Sequence, residues 1–151
     1  MILIILMLIA RLTKELNKLK SDPIEGFILT DHENMTQWKG ILEGPPDTPF
    51  ANGKFKIQFT FDDDYPLSPP SVKFLDSIFH PNIYRDGKIC VDILQKAEWT
   101  PVQTVRTIIL SLRSLFMDPN PDSPANRDAA IMFKKDKKLY NETVMKQINK
   151  N

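Results

Sequence analysis

The chain has 151 residues, of which 42% are hydrophobic and 9% aromatic, enough to build the core of one globular domain. A formal net charge of +1 provides no bulk attraction to nucleic acid or to an anionic membrane, so any partner must be recognised by local patches. The single cysteine excludes an internal disulfide framework and fits a reducing compartment, the cytoplasm or the nucleus.

Residues 1–10 form an uncharged apolar leader that ends directly before Arg11. The leader is about half as long as the ~20 residues that a spanning helix needs, and it lacks the basic start and cleavage site of a secretory signal. We expect it to add a turn to the first helix and to pack on the domain or on a neighbour, because a helix apolar on all sides is unstable in water. The alternatives are a weak membrane tether and an artefact of the start site or of cloning.

The remaining chain, 11–151, is predicted to be one domain. Leucines at helical spacing predict an amphipathic helix over 11–20 with a basic outer face, ended by the proline at position 23. Strands are predicted at 27–29, 36–42, 54–61 and 71–75, arranged as a four-stranded antiparallel meander. The segment 54–61 gives the clearest signal because its polar and apolar residues alternate strictly.

Residues 77–99 show no sustained period, and long irregular segments inside compact domains are usually functional. A helix over 104–117 follows with the strongest apolar stripe in the chain. Two shorter helices are predicted at 126–133 and 135–149. Because the strands lie in the first half and the main helices in the second, the pattern indicates an α+β fold with helices packed on the sheet.

The irregular segment carries Cys90. A lone thiol cannot fill a metal site, which leaves covalent chemistry or plain packing. Free cysteine is often buried, but the turn signal at Asp86-Gly87 and the irregular backbone indicate a position near the surface. We therefore favour a chemical role for this thiol.

Only two histidines could serve as a base for Cys90. His32 lies in a polar turn and is expected to be solvated. His80 precedes Pro81, and we interpret it as a structural pin whose ring nitrogens bond nearby main chain. A His80–Cys90 dyad is open on spacing alone, although a cysteine protease, which needs a held imidazole base, is not favoured.

Several spaced motifs together resemble the ubiquitin-conjugating enzyme family over residues 11–149. In chain order they are Arg11-Leu12-x-Lys14-Glu15-Leu16, Gly44-Pro45-x-x-Thr48-Pro49-Phe50, Tyr65-Pro66-x-x-Pro69-Pro70, His80-Pro81-Asn82, Gly87-x-Ile89-Cys90-x-Asp92-Ile93-Leu94 and Trp99-Thr100-Pro101. The segments 79–84, 92–95 and 119–126 are most similar to the subgroup that acts in post-replication DNA repair and histone ubiquitylation.

The resemblance implies that Cys90 accepts ubiquitin as a thioester from an activating enzyme and passes it to a substrate lysine or a ligase cysteine. Thiolates attack acyl groups well and leave well. Asn82 matches a family position at which an amide N–H can stabilise the oxyanion, or can organise the loop by bonding backbone. The residues expected to support the site structurally are His80, Pro81, Tyr84 and Asp92.

Many family members place a carboxylate in the loop after the main helix, where it helps the acceptor lysine lose its proton. This chain has Ser123 at that place, with Asp122 beside it. The negative charge is expected to come from Asp122 or from phosphorylation of Ser123.

Partner recognition in the family uses the first helix and two loops. For a RING-type ligase these map to Arg11 and Lys14, to Phe61 as an exposed aromatic, and to Pro101 with Val102. Ordinary packing at the strand end is the alternative for Phe61. Lys14 and Lys18 also suit an acidic surface on the activating enzyme, so the two partners are expected to alternate.

The expected partners are thus ubiquitin, the activating enzyme, a ligase and protein substrates, with no direct nucleic acid contact. Membrane contact through residues 1–10 is not favoured. No cofactor or metal is expected, since ATP is consumed by the upstream activating enzyme. Two rival hypotheses are transfer of a different ubiquitin-like modifier and a non-catalytic ubiquitin-binding scaffold.

Overall fold

The computed structural model describes residues 1–150 and has the α+β architecture predicted from the sequence. Its elements are α1 (Ile2–Ser21), β1 (Phe27–Asp31), β2 (Gln37–Glu43), β3 (Lys54–Thr60), β4 (Ser71–Phe74), a 3-10 turn (Asp92–Leu94), α2 (Val105–Met117), α3 (Arg127–Lys135) and α4 (Lys137–Lys150). All four strands and the three later helices lie within about two residues of their predicted bounds.

The four strands form one antiparallel meander in the order β1-β2-β3-β4. Strict alternation in β3 buries Phe55, Ile57 and Phe59 on one face, while Lys54 and Lys56 are exposed on the other. The buried face packs against α2, where the ring of Phe116 stacks on Phe55 at a centroid distance of 5.3 Å. The sheet and α2 therefore enclose one core. The apolar residues that repeat every second position in the strands face those that repeat about every 3.6 positions in the helix.

A buried carboxylate joins α1 to the rest of the domain. Glu15 Oε1 accepts from the Val105 N–H at 2.8 Å, and Glu15 Oε2 accepts from the Tyr65 hydroxyl at 2.6 Å and from Arg11 Nε at 2.8 Å. Burial raises the pKa of Tyr65, and the neighbouring Glu15 charge raises it further. The hydroxyl therefore remains a donor and holds the turn after β3 against α1.

The apolar leader is helical, but apart from Leu8 it does not pack on the domain, the first of the two positions expected for it. Packing on a neighbour stays a prediction. Residues 2–10 continue α1 without a break, and Leu8, 2% exposed, is the one leader residue that the core covers. Arg11 marks the level at which α1 meets the loop before α2, through bonds to Pro101 O and Gln103 O. One turn before Arg11 the core still covers Leu8, and residues 1–7 extend beyond it into solvent.

No helix among residues 1–150 has the combined length and apolar character needed to cross a bilayer.

Candidate active site

Cys90 lies in a tightly connected loop and carries a free, partly exposed thiol. Its backbone N–H donates to Asn82 O at 2.8 Å, while Tyr84 N–H donates to Lys88 O at 2.8 Å. These bonds fold residues 82–90 back on themselves around the predicted turn at Asp86-Gly87. The thiol thus lies at the surface on a backbone that is held in place, which is the arrangement a nucleophile needs.

Gly87 allows this loop to lie against β4. Its φ is +90°, and its carbonyl accepts from the Phe74 N–H at 2.8 Å. A Cβ at this position would lie 1.9 Å from Phe74 O. Only glycine fits both the left-handed backbone and the close approach.

His80 is fully buried and bonds main chain through both ring nitrogens. Nδ1 accepts from the Asn82 N–H at 2.9 Å, so Nε2 carries the proton and donates to Leu115 O at 2.8 Å. Burial lowers its pKa to about 4, although the bond to Leu115 opposes that shift. A neutral ring with both nitrogens occupied cannot accept a proton from Cys90, which excludes the His80–Cys90 dyad in this conformation.

The side chain of Asn82 organises the loop between α2 and α3. Its Oδ1 accepts from the Asn120 N–H at 2.8 Å, and its Nδ2 donates to Asn120 O at 2.7 Å and to Ser123 O at 3.0 Å. Both amide hydrogens are therefore used, and the residue is buried. In this conformation Asn82 holds loop backbone, the second of the two roles expected for it, and presents no free N–H to an oxyanion.

Pro81 also binds the backbone of the loop between α2 and α3. It is buried, and its carbonyl accepts from the N–H groups of Ala125 at 2.7 Å and Asn126 at 3.0 Å. Tyr84 and Asp92 lie exposed on either side of Cys90 along the chain, and Asp92 begins the 3-10 turn. That turn was not predicted, because three residues are too few to show a period.

Asp122 and Ser123 are both exposed on the loop that Asn82 holds. The Asp122 carboxylate lies 2.6 Å from Lys134 Nζ, on α3. Because this ion pair is solvent-exposed, it contributes little to stability and can exchange. The structure thus brings the predicted acceptor-loop residues and the thiol loop together through Asn82.

Phe61 is not the exposed aromatic that the sequence predicted. It is 3% exposed and packs between Trp38 and Tyr65, with ring centroids 4.9 Å from each. The exposed apolar residue of this region is Leu67, at 76% exposure. The prolines around Leu67 could have indicated it, since they remove backbone donors and keep the segment outside the sheet, where residues 63–67 form turns.

The second loop expected to bind partners is exposed as predicted, with Val102 at 82% exposure and Pro101 also exposed. Trp99 Nε1 donates to Pro66 O at 2.8 Å and thereby joins this loop to the segment that carries Leu67. The two exposed apolar side chains therefore lie on neighbouring loops.

Arg11 differs from the other basic residues of α1. Its Nε donates to Glu15, and its Nη2 donates to Pro101 O and Gln103 O, so these donors serve the fold. Its contact with a partner stays a prediction. Lys14 and Lys18 are exposed, with Lys18 Nζ 3.8 Å from Asp22. Together with Lys20, these two lysines are the exposed basic residues of α1 that a partner could reach.

An α+β domain that presents a partly exposed thiol on a rigid surface loop, without an imidazole base, has the form of an enzyme that carries acyl groups. The sequence model of the family described as ubiquitin-conjugating enzyme matches residues 11–148. The chain therefore belongs to the ubiquitin-conjugating enzyme family, whose members transfer ubiquitin through a thioester.

Proteins named as ubiquitin-conjugating enzymes are similar in sequence to this chain over most of its length. Ubiquitin-conjugating enzyme E2 2 of Candida glabrata is 44% identical over 141 residues, covering 93% of this chain and 84% of the relative. Ubiquitin-conjugating enzyme E2 3 of Arabidopsis thaliana is 44% identical over 136 residues, covering 89% and 90%. Ubiquitin-conjugating enzyme E2 2 of Saccharomyces cerevisiae is 43% identical over 141 residues, covering 93% and 81%. Membership implies that this transferase works with ubiquitin, an activating enzyme and ligases.

Proposed function

We propose that Cys90 is the residue that carries ubiquitin. The observation that supports this most directly is that the chain's single thiol is partly exposed on a loop held by the Cys90–Asn82 backbone bond. The thiolate attacks the ubiquitin–activating enzyme thioester, and the activating enzyme's thiol leaves. A lysine amine then attacks the carbonyl carbon, and Cys90 leaves as thiolate while the isopeptide bond forms.

The acceptor side of the reaction is assigned to the loop that Asn82 holds. By bonding Asn120 and Ser123 backbone, Asn82 positions Asp122 and Ser123 beside the route of an incoming lysine. Asp122 is the group that attracts and helps deprotonate the amine, and its exposed pair with Lys134 can open for this purpose. Phosphorylation of Ser123 would add charge at the same place.

Partners dock, in this proposal, on α1 and the two neighbouring loops. The apolar contacts come from Leu67 and from Pro101 with Val102, and Leu67 replaces Phe61 in that role because Phe61 is buried. Lys14 and Lys18 supply the positive charge that favours an acidic surface on the activating enzyme. Since a RING-type ligase and the activating enzyme would share α1, loading and transfer would alternate.

The proposed substrates are protein lysines in pathways of DNA repair or chromatin modification, with the protein in the cytoplasm, the nucleus or both. Motif similarity at 79–84, 92–95 and 119–126 supports this assignment, as does the similarity to relatives named E2 2. The lone free cysteine is compatible with a reducing compartment.

One loading assay tests the central proposal. The protein is mixed with activating enzyme, ATP and either ubiquitin or another ubiquitin-like modifier. We expect a higher-mass band with ubiquitin that reductant removes, and a Cys90→Ser band that resists reductant because an oxygen ester replaces the thioester. Loading with a different modifier alone would favour the rival transferase, and no adduct with a folded protein would favour the scaffold.

A further inference from the structure

The largest apolar feature outside the active site is the N-terminal half of α1. Among residues 1–9 only Leu8 is buried, and the large side chains of the others are exposed: Met1, Ile2, Leu3, Ile4, Ile5, Leu6, Met7 and Ile9. The family match begins at residue 11, so family chemistry does not account for this segment. A continuous apolar surface of this kind on a globular domain marks an interaction site.

We propose that the exposed part of this segment, residues 2–7 of α1, inserts into the surface layer of an anionic lipid bilayer and attaches the catalytic domain to a membrane. The exposed residues do not form a stripe. Ile2, Leu3, Ile4, Ile5 and Leu6 are consecutive, and any four consecutive residues of an α-helix point to all sides of its axis. A protein groove covers one face of a helix, whereas lipid can contact all of its sides.

The dimensions of the segment fit the depth at which helices lie in a membrane surface. Residues 2–7, which precede the buried Leu8, extend about 9 Å at ~1.5 Å per residue. Surface-bound helices bury their apolar side chains about 5–10 Å into the boundary between headgroups and acyl chains. From Ile5 onward the backbone N–H groups are bonded within the helix, and at this depth the unpaired N–H groups of the first turn remain within reach of polar headgroups.

Charge complementarity supports an anionic surface as the occupant. Lys14 and Lys18 are exposed on one side of the same helix, four and eight residues beyond Ala10. With the apolar segment inserted, both ammonium groups would lie on its water side, with Lys14 about 10 Å beyond Met7 along the axis and so about one Debye length from the anionic surface. Basic residues beside an apolar segment add to its insertion in membrane-bound helices.

The remainder of α1 transmits this attachment to the domain. Leu12, Leu16 and Leu19 are buried in the core. Glu15 bonds both the turn that follows β3 and the start of α2. The inserted segment is thus a rigid extension of a packed helix. Ubiquitin transfer would be directed to proteins at the membrane surface.

Flotation with vesicles tests the proposal on the full chain. The vesicles contain phosphatidylcholine with or without about 30% phosphatidylserine, at low and high salt. We expect the protein to float with the anionic vesicles, and Leu3→Glu with Leu6→Glu to lower the bound fraction at least tenfold. Lys14→Glu with Lys18→Glu should lower it about tenfold on anionic vesicles alone.

A matched control places the same changes on exposed residues of α4, Leu139→Glu with Met145→Glu, and should leave flotation unchanged. All variants are required to keep the wild-type unfolding midpoint. Failure of the wild-type protein to float would overturn the proposal, as would equal losses in the α4 control. Concentration-dependent self-association without vesicle binding would instead assign the segment to contact between copies of the chain. The loading assay on Cys90 is independent of each of these outcomes.

Discussion

The backbone N–H of Cys90 donates to the carbonyl oxygen of Asn82 at 2.8 Å, and the Asn82 side chain in turn bonds Asn120 and Ser123. One residue therefore connects the thiol loop to the loop expected to receive the acceptor lysine. The relative position of the two loops is set by hydrogen bonds that this residue makes through its backbone carbonyl and its side-chain amide. Positional errors of about 1 Å can cost about 10²-fold in rate.

Replacing Asn82 by Ala should lower the free energy of unfolding by about 1–3 kcal/mol, because the Asn120 N–H and two carbonyls lose their partner. Discharge of ubiquitin to free lysine should fall with it, while loading of Cys90 persists. Urea unfolding and single-turnover discharge measure the two effects. Asn126→Ala, which removes only the α3 N-cap bond to Ala129, is the matched control. Slower discharge at unchanged stability would instead assign the amide to the oxyanion.

The stability of the protein should decrease as the pH falls from about 6.5 to about 4, in part through His80. Its pKa is about 4 in the fold and 6.5 ordinarily, so in this range the unfolded state binds a proton that the folded state does not. The contribution of the neutral His80 ring to the free energy of unfolding is therefore complete above pH 6.5 and is lost as the pH falls to about 4. Its size is on the order of 3 kcal/mol. Urea unfolding of the wild type and of His80→Gln across this pH range measures the contribution. It is the difference between the two proteins in the slope of the free energy of unfolding against pH. Equal slopes would contradict the assignment.

Gly87→Ala should destabilise the domain by about 2 kcal/mol or more, because a Cβ there adds left-handed backbone strain to a clash with Phe74 O. Gly26→Ala is the control: its φ is +79°, but its nearest neighbour is the Arg113 side chain at 3.6 Å. That variant should lose only about 1 kcal/mol. Thermal or urea unfolding compares the two, and similar losses would show that the contact with β4 is unimportant.

Asp122→Ala should slow the discharge of ubiquitin to free lysine about tenfold or more, because the carboxylate that helps deprotonate the amine is lost. Positioned acid–base groups contribute about 10²- to 10⁴-fold to rates, so the expected effect lies at the lower end of what they can supply. Ser123→Ala should have little effect, and Ser123→Asp should accelerate discharge by adding a carboxylate. Lys134→Ala, which frees the Asp122 carboxylate from its ion pair, should not slow the reaction. Unchanged rates in all Asp122 and Ser123 variants would remove both residues from the mechanism.

The sequence by itself determined the four strands and the main helices, because periodicity along β3 and α2 is a local property that tertiary packing preserves. The short 3-10 turn at Asp92–Leu94 was not among the elements predicted. The sequence also indicated Cys90 and its irregular loop, since a single thiol and a missing period need no tertiary information. Tertiary structure alone decided the rest. Phe61 is buried because Trp38 and Tyr65 close over the end of β3. The Asn82 side-chain amide is bonded to backbone 38 and 41 residues away. Residues 1–7 are exposed because no other element packs against them. Each of these depends on contacts between distant parts of the chain, which local patterns do not encode.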